Sequence, residues 1–432
     1  MAAVPSVAGA GSDTASNLAG SPTVPSGRGL LVWLLVISFA ASFLVFILAI
    51  VSPGFSIPNA EAWLDYAYAY IPSVQAFKAG YLPYANFYFS YPPLFLYALT
   101  AFSYLGPSWA SALPSVIAEA LTAVPVFLIA RRFVNVRGAF LAGLVFALAP
   151  MNLYYADYYW LNPPLTTLFL LVSVYCFLEG RYDLSAITLA LSIGFKQTAL
   201  LVLPILLLLL WKRTSRRVAL RYLTIVAAIC LIISLPYLFI SPGLYLFSIF
   251  RLPLNPFYLP QNYYQLVAPT GPVSTVNSAT FTGYLLAWNN LIYVNGPVSL
   301  ILPLFVFLVP GAQDAFNYAN IGLTAALVAV YLLLLYRTYK KDQAQDRTVI
   351  LYAMFSQLVL FTFNPLYKYY LVGITPMLVL CAPGKRGLAA FIVLNLVMLL
   401  VPRIIAAYVP FAVLLWMSWL SFRLVPRRPQ IS

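Results

Sequence analysis

The chain has 432 residues, 63% of them hydrophobic and 8% charged, with a mean hydropathy of +0.90 and a formal net charge of +14. No soluble single-core fold hides that much apolar surface at this length, so the bilayer is the solvent of this chain. There is no histidine, and Cys176, Cys230 and Cys381 all lie in apolar segments, which removes disulfide frameworks, zinc sites and Ser/His or Cys/His chemistry together.

Residues 1–27 are rich in Ala, Ser, Gly and Pro, carry Asp13 as their one acid, and read as a disordered cytoplasmic tail. No basic stretch precedes an apolar core there, so they do not read as a signal peptide. Apolar stretches follow at 29–51, 89–105, 112–130, 138–150, 162–178, 184–211, 218–240, 298–310, 319–336, 349–363, 369–382, 388–401 and 404–421. The expectation is an all-α polytopic transmembrane protein of about 11–13 membrane segments. These form a single domain over 28–423, followed by a basic cytoplasmic tail at 424–432. The Pro-punctuated 89–105 and 298–310 suit re-entrant or interfacial segments.

Of the 24 basic residues, 19 sit in short connections or at the ends of apolar segments, among them Arg131, Arg132, Arg181, Arg213, Arg221, Arg337 and Lys385. The positive-inside rule accounts for these as cytoplasmic anchors, and a nucleic-acid partner is not expected. Both termini then lie inside, with 53–88, 151–161, 241–297, 311–318 and 364–368 outside. Placing both 179–183 and 212–217 inside requires 184–211 to rise and return as two half-spans. Lys196 is near their apex, about 18 Å up at 1.5 Å per residue. The alternative is one long helix, which reverses the assignments from 131 to 178.

Removing the anchors leaves Lys78, Lys196, Arg251, Lys368 and Arg403, and on the acidic side Glu61, Asp65, Glu119, Asp157 and Asp314. Lys196 stands out, between Phe195 and Gln197 inside the longest apolar run. A cation at bilayer depth costs about 2.5 kcal/mol or more, so it is retained mainly where an anion meets it. In the first outer loop Asn59 is placed to cap a short helix interrupted by Pro72, and Glu61 and Asp65, four residues apart, share one face of it. Glu119 lies between Ala118 and Ala120 in a helix, and Asp157 lies in Tyr155-Ala156-Asp157-Tyr158-Tyr159-Trp160, as a ligand contact or part of an aromatic rim. Arg251 is a second candidate for the anion, or a headgroup anchor like Arg403. The outer loop at 241–297 is long and aromatic, either a functional lid or a second interfacial belt.

The order of pieces carries a resemblance. Asp65-Tyr66, then Gly80-Tyr81-Leu82-Pro83-Tyr84, then Tyr91-Pro92-Pro93-Leu94 resembles the first luminal loop of GT-C superfamily glycosyltransferases. The likeness is to the first mannosyltransferase of GPI-anchor assembly and to dolichyl-phosphate-glucose-dependent glucosyltransferases. Gly194-Phe195-Lys196-Gln197 before Pro204, and Lys368-Tyr369-Tyr370 before Pro376, resemble later segments of the same enzymes. The resemblance implies a membrane hexosyltransferase, with mannose or glucose as the sugar. A polyprenyl- or dolichyl-phosphate sugar is the donor, and a lipid-linked glycan or other acceptor receives the sugar on the outer face of the cell membrane with inversion. It implies Asp65 as general base with Glu61 beside it, and Lys196, Arg251, Lys368, Asp157, Tyr91 and Gln197 as substrate-binding residues. A strict Asp-x-Asp is absent, so a divalent metal has no support in the sequence and no other cofactor is implied. The alternative class is a transporter or flippase for an anionic lipid or metabolite; it favours an inverted repeat, and the two halves show none that is convincing.

Overall fold

A computed structural model describes residues 27–58, 65–250, 312–340, 346–363, 368–381, 384–401 and 412–413. Asn59, Glu61, Arg251, Arg403, nearly all of the N-terminal tail, the C-terminal tail, the 298–310 segment and most of the 241–297 loop lie outside these residues.

Lipid offers the backbone no hydrogen-bond partner, so runs of Leu, Ile, Val, Ala and Phe close their amide bonds internally as helices. In chain order these are α1 (Gly27–Val51), α2 (Ile71–Lys78), α3 (Pro93–Ser103), α4 (Leu113–Ala130), α5 (Val136–Ala147), α6 (Pro163–Leu178) and α7 (Tyr182–Phe195). They continue as α8 (Leu203–Arg213), α9 (Arg216–Ile240), α10 (Pro242–Phe250), α11 (Ala312–Lys340), α12 (Asp346–Phe363), α13 (Thr375–Cys381) and α14 (Lys385–Leu400). Among the described residues there is no strand, only an isolated bridge between Pro83 and Phe87. Proline opens α3, α4, α6 and α8, where its missing N–H forfeits nothing. Among the described residues, four segments are long and apolar enough to cross a membrane: Gly27–Val51, Ser108–Ala130, Val136–Tyr158 and Arg216–Ile240. α4 is almost wholly buried at the centre, against α1, α5 and α6, whereas α9 leaves Leu231, Ile232 and Phe239 exposed, as a lipid-facing helix does.

Ion pairs settle how 184–211 runs. Arg132, at the exit of α4, pairs with Glu179 after α6 at 2.5 Å and with Asp346 at the start of α12 at 2.6 Å. Arg213 at the end of α8 reaches Asp346 at 3.6 Å, and Arg221 reaches Asp183 at 2.6 Å. Each such half-exposed pair contributes at most about 1 kcal/mol, but together they put 179–183 and 212–217 on one basic face. The chain therefore rises as α7, about 21 Å for 14 residues, and returns through a tight turn at Gln197–Val202 into α8. The two half-spans are the arrangement found, and one long helix is excluded. Lys196 is the turning point, in extended backbone at φ −154° and ψ 124°. Gly194 lets the neighbours close on that turn: a Cβ there would meet Leu94 and Ile233 side-chain atoms at 3.2 Å.

On the opposite face, the loop after α1 is tied to a π-helical turn, Leu153–Tyr158, that extends α5. The Tyr158 hydroxyl accepts from Gly54 N at 3.0 Å and Phe55 N at 2.7 Å and donates to Ser52 O at 2.5 Å. Further along, Pro72 lies in the first turn of α2 and does not interrupt it; a π-helical turn at Tyr66–Tyr70 leads directly in. Gly80, at φ +89°, stops α2 with the Tyr81 amide bonded to Ala76 O at 3.0 Å. Tyr84 is fully buried at φ +66°, edge-on to Tyr237 and Tyr245, and its hydroxyl donates to Tyr91 O at 2.5 Å. The Gly-x-x-Pro-Tyr stretch thus fixes the backbone of the Tyr-Pro-Pro-Leu stretch.

The half-span arrangement has a direct check in a protein freed of its native cysteines. Arg181→Cys and Arg217→Cys are expected to react with an impermeant thiol reagent from one side of the membrane and Ala79→Cys from the other. Labelling of positions 181 and 217 from opposite sides would restore the single long helix.

Candidate active site

The helix break collects side chains from five parts of the chain. Lys196, 7% exposed, points its ammonium to Asn162 Oδ1 at 3.2 Å, from the loop that opens α6. Three tyrosine rings surround it: Nζ lies 4.3 Å from the Tyr370 centroid, 5.8 Å from Tyr369 and 6.0 Å from Tyr91. Aromatic faces attract a desolvated cation by about 2 kcal/mol at best, less than an unpaired buried charge costs. Asp65 adds an opposite charge acting through space, which offsets part of that cost.

Asp65 leads into the π-helical turn at Tyr66–Tyr70 and is half-buried. Its Oδ2 accepts a hydrogen bond from the Tyr369 hydroxyl at 3.2 Å. Tyr369 therefore stands between acid and cation, hydroxyl to one and ring to the other. Burial pushes the Asp65 carboxyl above the ordinary aspartate range, and the Tyr369 hydrogen bond and the Lys196 charge only partly offset this. A carboxyl raised this way holds a proton more readily, which suits general-base work. Tyr70 closes the wall, donating to the Tyr91 hydroxyl at 3.3 Å and meeting Phe95 edge-on at 5.0 Å.

Of the residues singled out in the sequence, Asp65, Lys196 and Tyr91 come together here. Gln197 is adjacent and used on the backbone: its Nε2 donates to Ile249 O at 2.8 Å and Ser90 O at 3.3 Å, tying α10 and the loop before Tyr91 to the break. Lys368, expected to supply charge to the substrate, is used on the backbone. It is 1% exposed and donates to Leu399 O at 3.1 Å and to Val401 O, because carbonyls at a helix C-terminus lack intrahelical partners and draw a cation. Asp157 is neither in an aromatic rim nor at this site. It is fully buried on the π-helical turn, with Ser42 of α1 and Glu119 of α4 as its polar neighbours, and Glu119 accepts from Asn152 Nδ2 at 2.8 Å. Glu61 and Arg251 fall outside the described residues.

Tyr369, Tyr370, Tyr70 and Asn162 were not singled out by sequence. The signal for the first two is their place beside Lys368 in the late motif. For Asn162 it was an amide directly before the Pro163-Pro164 helix start.

With this geometry in view, likenesses to known proteins can be placed. Residues 56–259, just under half of the chain and spanning Asp65 through Lys196, match the family model of the ALG3 protein. No curated protein matches in sequence. Among solved structures, the archaeal oligosaccharyltransferase AglB from Archaeoglobus fulgidus, in complex with an inhibitory peptide and a dolichol-phosphate, aligns over 88% of this chain at 15% identity and TM-score 0.46. This chain spans about half of AglB, 55% of its length. ArnT from Cupriavidus metallidurans in the apo state aligns over 89% of this chain and 77% of its own, at 15% identity and TM-score 0.40. What the chain is similar to is thus the ALG3 family, over the segment that carries both Asp65 and Lys196.

Proposed function

We propose that this enzyme moves a hexose from a polyprenyl- or dolichyl-phosphate sugar to a lipid-linked glycan or similar acceptor, at the outer face of the cell membrane and with inversion. The observation that carries the proposal is the pairing of a raised, half-buried carboxyl, Asp65, with a cation held at the turn of two half-spans. Of the two sugars, mannose is favoured over glucose, since ALG3 is a family of dolichyl-phosphate-mannose-dependent mannosyltransferases.

In the proposed reaction the acceptor hydroxyl oxygen attacks the anomeric carbon from the face opposite the lipid phosphate. Its proton passes to Asp65, the bond from the anomeric carbon to the phosphate oxygen breaks, and the lipid phosphate leaves with that electron pair. Preorganised positive charge lowers the barrier most where charge develops, in a site from which water is largely excluded. Lys196 is assigned this task for the leaving phosphate, and Arg251 the same task from the long loop. Tyr91 and Tyr370 wall the site, and Glu61 is assigned a secondary role beside Asp65. Gln197 and Lys368 act at one remove, holding the segments that carry Tyr91 and Tyr369. Asp157 acts further off still, through the packing of α1 on α4.

Asp65→Asn is expected to bind the donor near normally and to turn over about a hundredfold or more slower. Asp65 works as the carboxylate, so wild-type turnover is expected to fall as pH drops through its raised pKa, above the ordinary 3.8, and the slow turnover of the Asn variant to lack that limb. Wild-type rates in Asp65→Asn, measured as sugar transfer in membranes, would remove it from the mechanism.

Lys196 is tested by a series. Lys196→Ala is expected to lose turnover and donor affinity, and Lys196→Arg to keep part of each, since a cation remains with altered geometry. A folded, fully active Lys196→Met would refute the phosphate role, because replacing an unneeded buried charge with an apolar side chain is neutral or stabilising.

A further inference from the structure

Asn162 carries a second feature besides its bond to Lys196. An ammonium only donates, so the amide oxygen must face Lys196 Nζ, and the 3.2 Å contact fixes which end of the amide is which. The other end, Nδ2, is then aimed away from the lysine. It is buried, on a residue 1% exposed, and has no hydrogen-bond partner. A buried donor without an acceptor costs free energy and is rare in folded proteins, and Asn162 tolerates this beside a cation that is itself held for an anion. Two residues earlier, the Trp160 indole N–H is likewise buried and unpartnered. Its backbone is at φ +57°, a strained conformation for so large a side chain, and its ring packs edge-on against Tyr66, the neighbour of Asp65, at 4.7 Å.

We propose that the 160–162 segment is the neutral half of the phosphate site. Asn162 Nδ2 donates directly to a phosphate oxygen of the lipid-linked donor, and Trp160 Nε1 supplies a second N–H, while Lys196 supplies the charge. The chemistry explains the division. A polyprenyl-phosphate sugar bears one negative charge, and the departing lipid phosphate bears a second. One buried cation with neutral N–H donors meets both states without placing a second ammonium in the apolar interior. Asn162 thus has two tasks, orienting the lysine with its oxygen and binding the ligand with its nitrogen. The proposal rests on the reading of Lys196 as the phosphate contact.

The test is binding of polyprenyl phosphate and of its mannosyl ester to the purified full-length protein, with thermal unfolding as the check on folding. Asn162→Ala is expected to bind both lipids about tenfold more weakly, and to do so also in a Lys196→Arg background, where a cation persists with altered geometry. Trp160→Phe is expected to lose a few-fold. Asn162→Leu, close in size, removes the N–H without adding a charge, so it is expected to lose affinity as well and serves if the alanine variant does not fold. Wild-type affinity in Asn162→Ala would overturn the proposal. So would a loss that vanishes in the Lys196→Arg background, since that outcome leaves Asn162 with lysine orientation alone. If Lys196→Ala binds both lipids as the wild type does, the underlying placement of the phosphate fails instead, and the two failures are distinguishable.

Discussion

A buried ammonium that must be kept company organises this molecule. Lys196 sits about 21 Å up a half-span of 14 residues, where water is not at hand to solvate it. A cation there persists only if dipoles, rings and an acid are brought to it from elsewhere. The chain meets that demand by breaking its helix at the lysine. The broken backbone opens room in which the start of α6 contributes Asn162, the turn before α13 contributes Tyr369 and Tyr370, and the segment between α1 and α3 contributes Tyr91 and Asp65. The half-span arrangement and the site are one solution to one electrostatic problem.

The segment from α1 to α3 is built to deliver Asp65 without delivering much water. Its first part is stapled by the Tyr158 hydroxyl to three backbone groups, and its later part is locked by Tyr84 beneath Tyr91. Between them runs a wall of tyrosine and phenylalanine, including Tyr70, Tyr91, Phe89 and Phe95, in mostly edge-to-face contact. Aromatic rings exclude water over a large area at little cost in side-chain entropy, and their hydroxyls still serve as polar handles. The same residue type therefore dries the site and wires it.

The other buried charges show how often a polar group in this bundle has an architectural purpose. Lys368 caps α14, and through that bond holds the turn from which Tyr369 reaches Asp65. Glu119, Asn152 and Thr375 form a chain of hydrogen bonds between α4, the extension of α5 and α13, at 2.8 Å and 3.0 Å. In a medium where apolar packing is no better inside than outside, such bonds and close small-residue contacts are what choose one arrangement of helices over another.

Much of this was written in the sequence. Hydropathy alone predicted membrane helices, and the observed α1, α4, α6 and α9 start and stop within a few residues of their apolar runs. The cost of charge in lipid singled out Lys196, and the order of motifs singled out Asp65 and Tyr91. Tertiary structure decided the rest. Whether 184–211 crosses once or turns back depends on which ends the ion pairs of Arg132 and Asp346 hold together, and residues 47 and 214 positions apart leave no local trace. Likewise, Lys368 and Asp157 looked like Lys196 and Asp65 by composition, but a helix end captured the first and the packing of α1 on α4 the second. The sequence determines which side chains cannot be left alone in a bilayer. Only the fold decides which partner each one finds, because in an apolar medium that choice is made by long-range contacts rather than by neighbours along the chain.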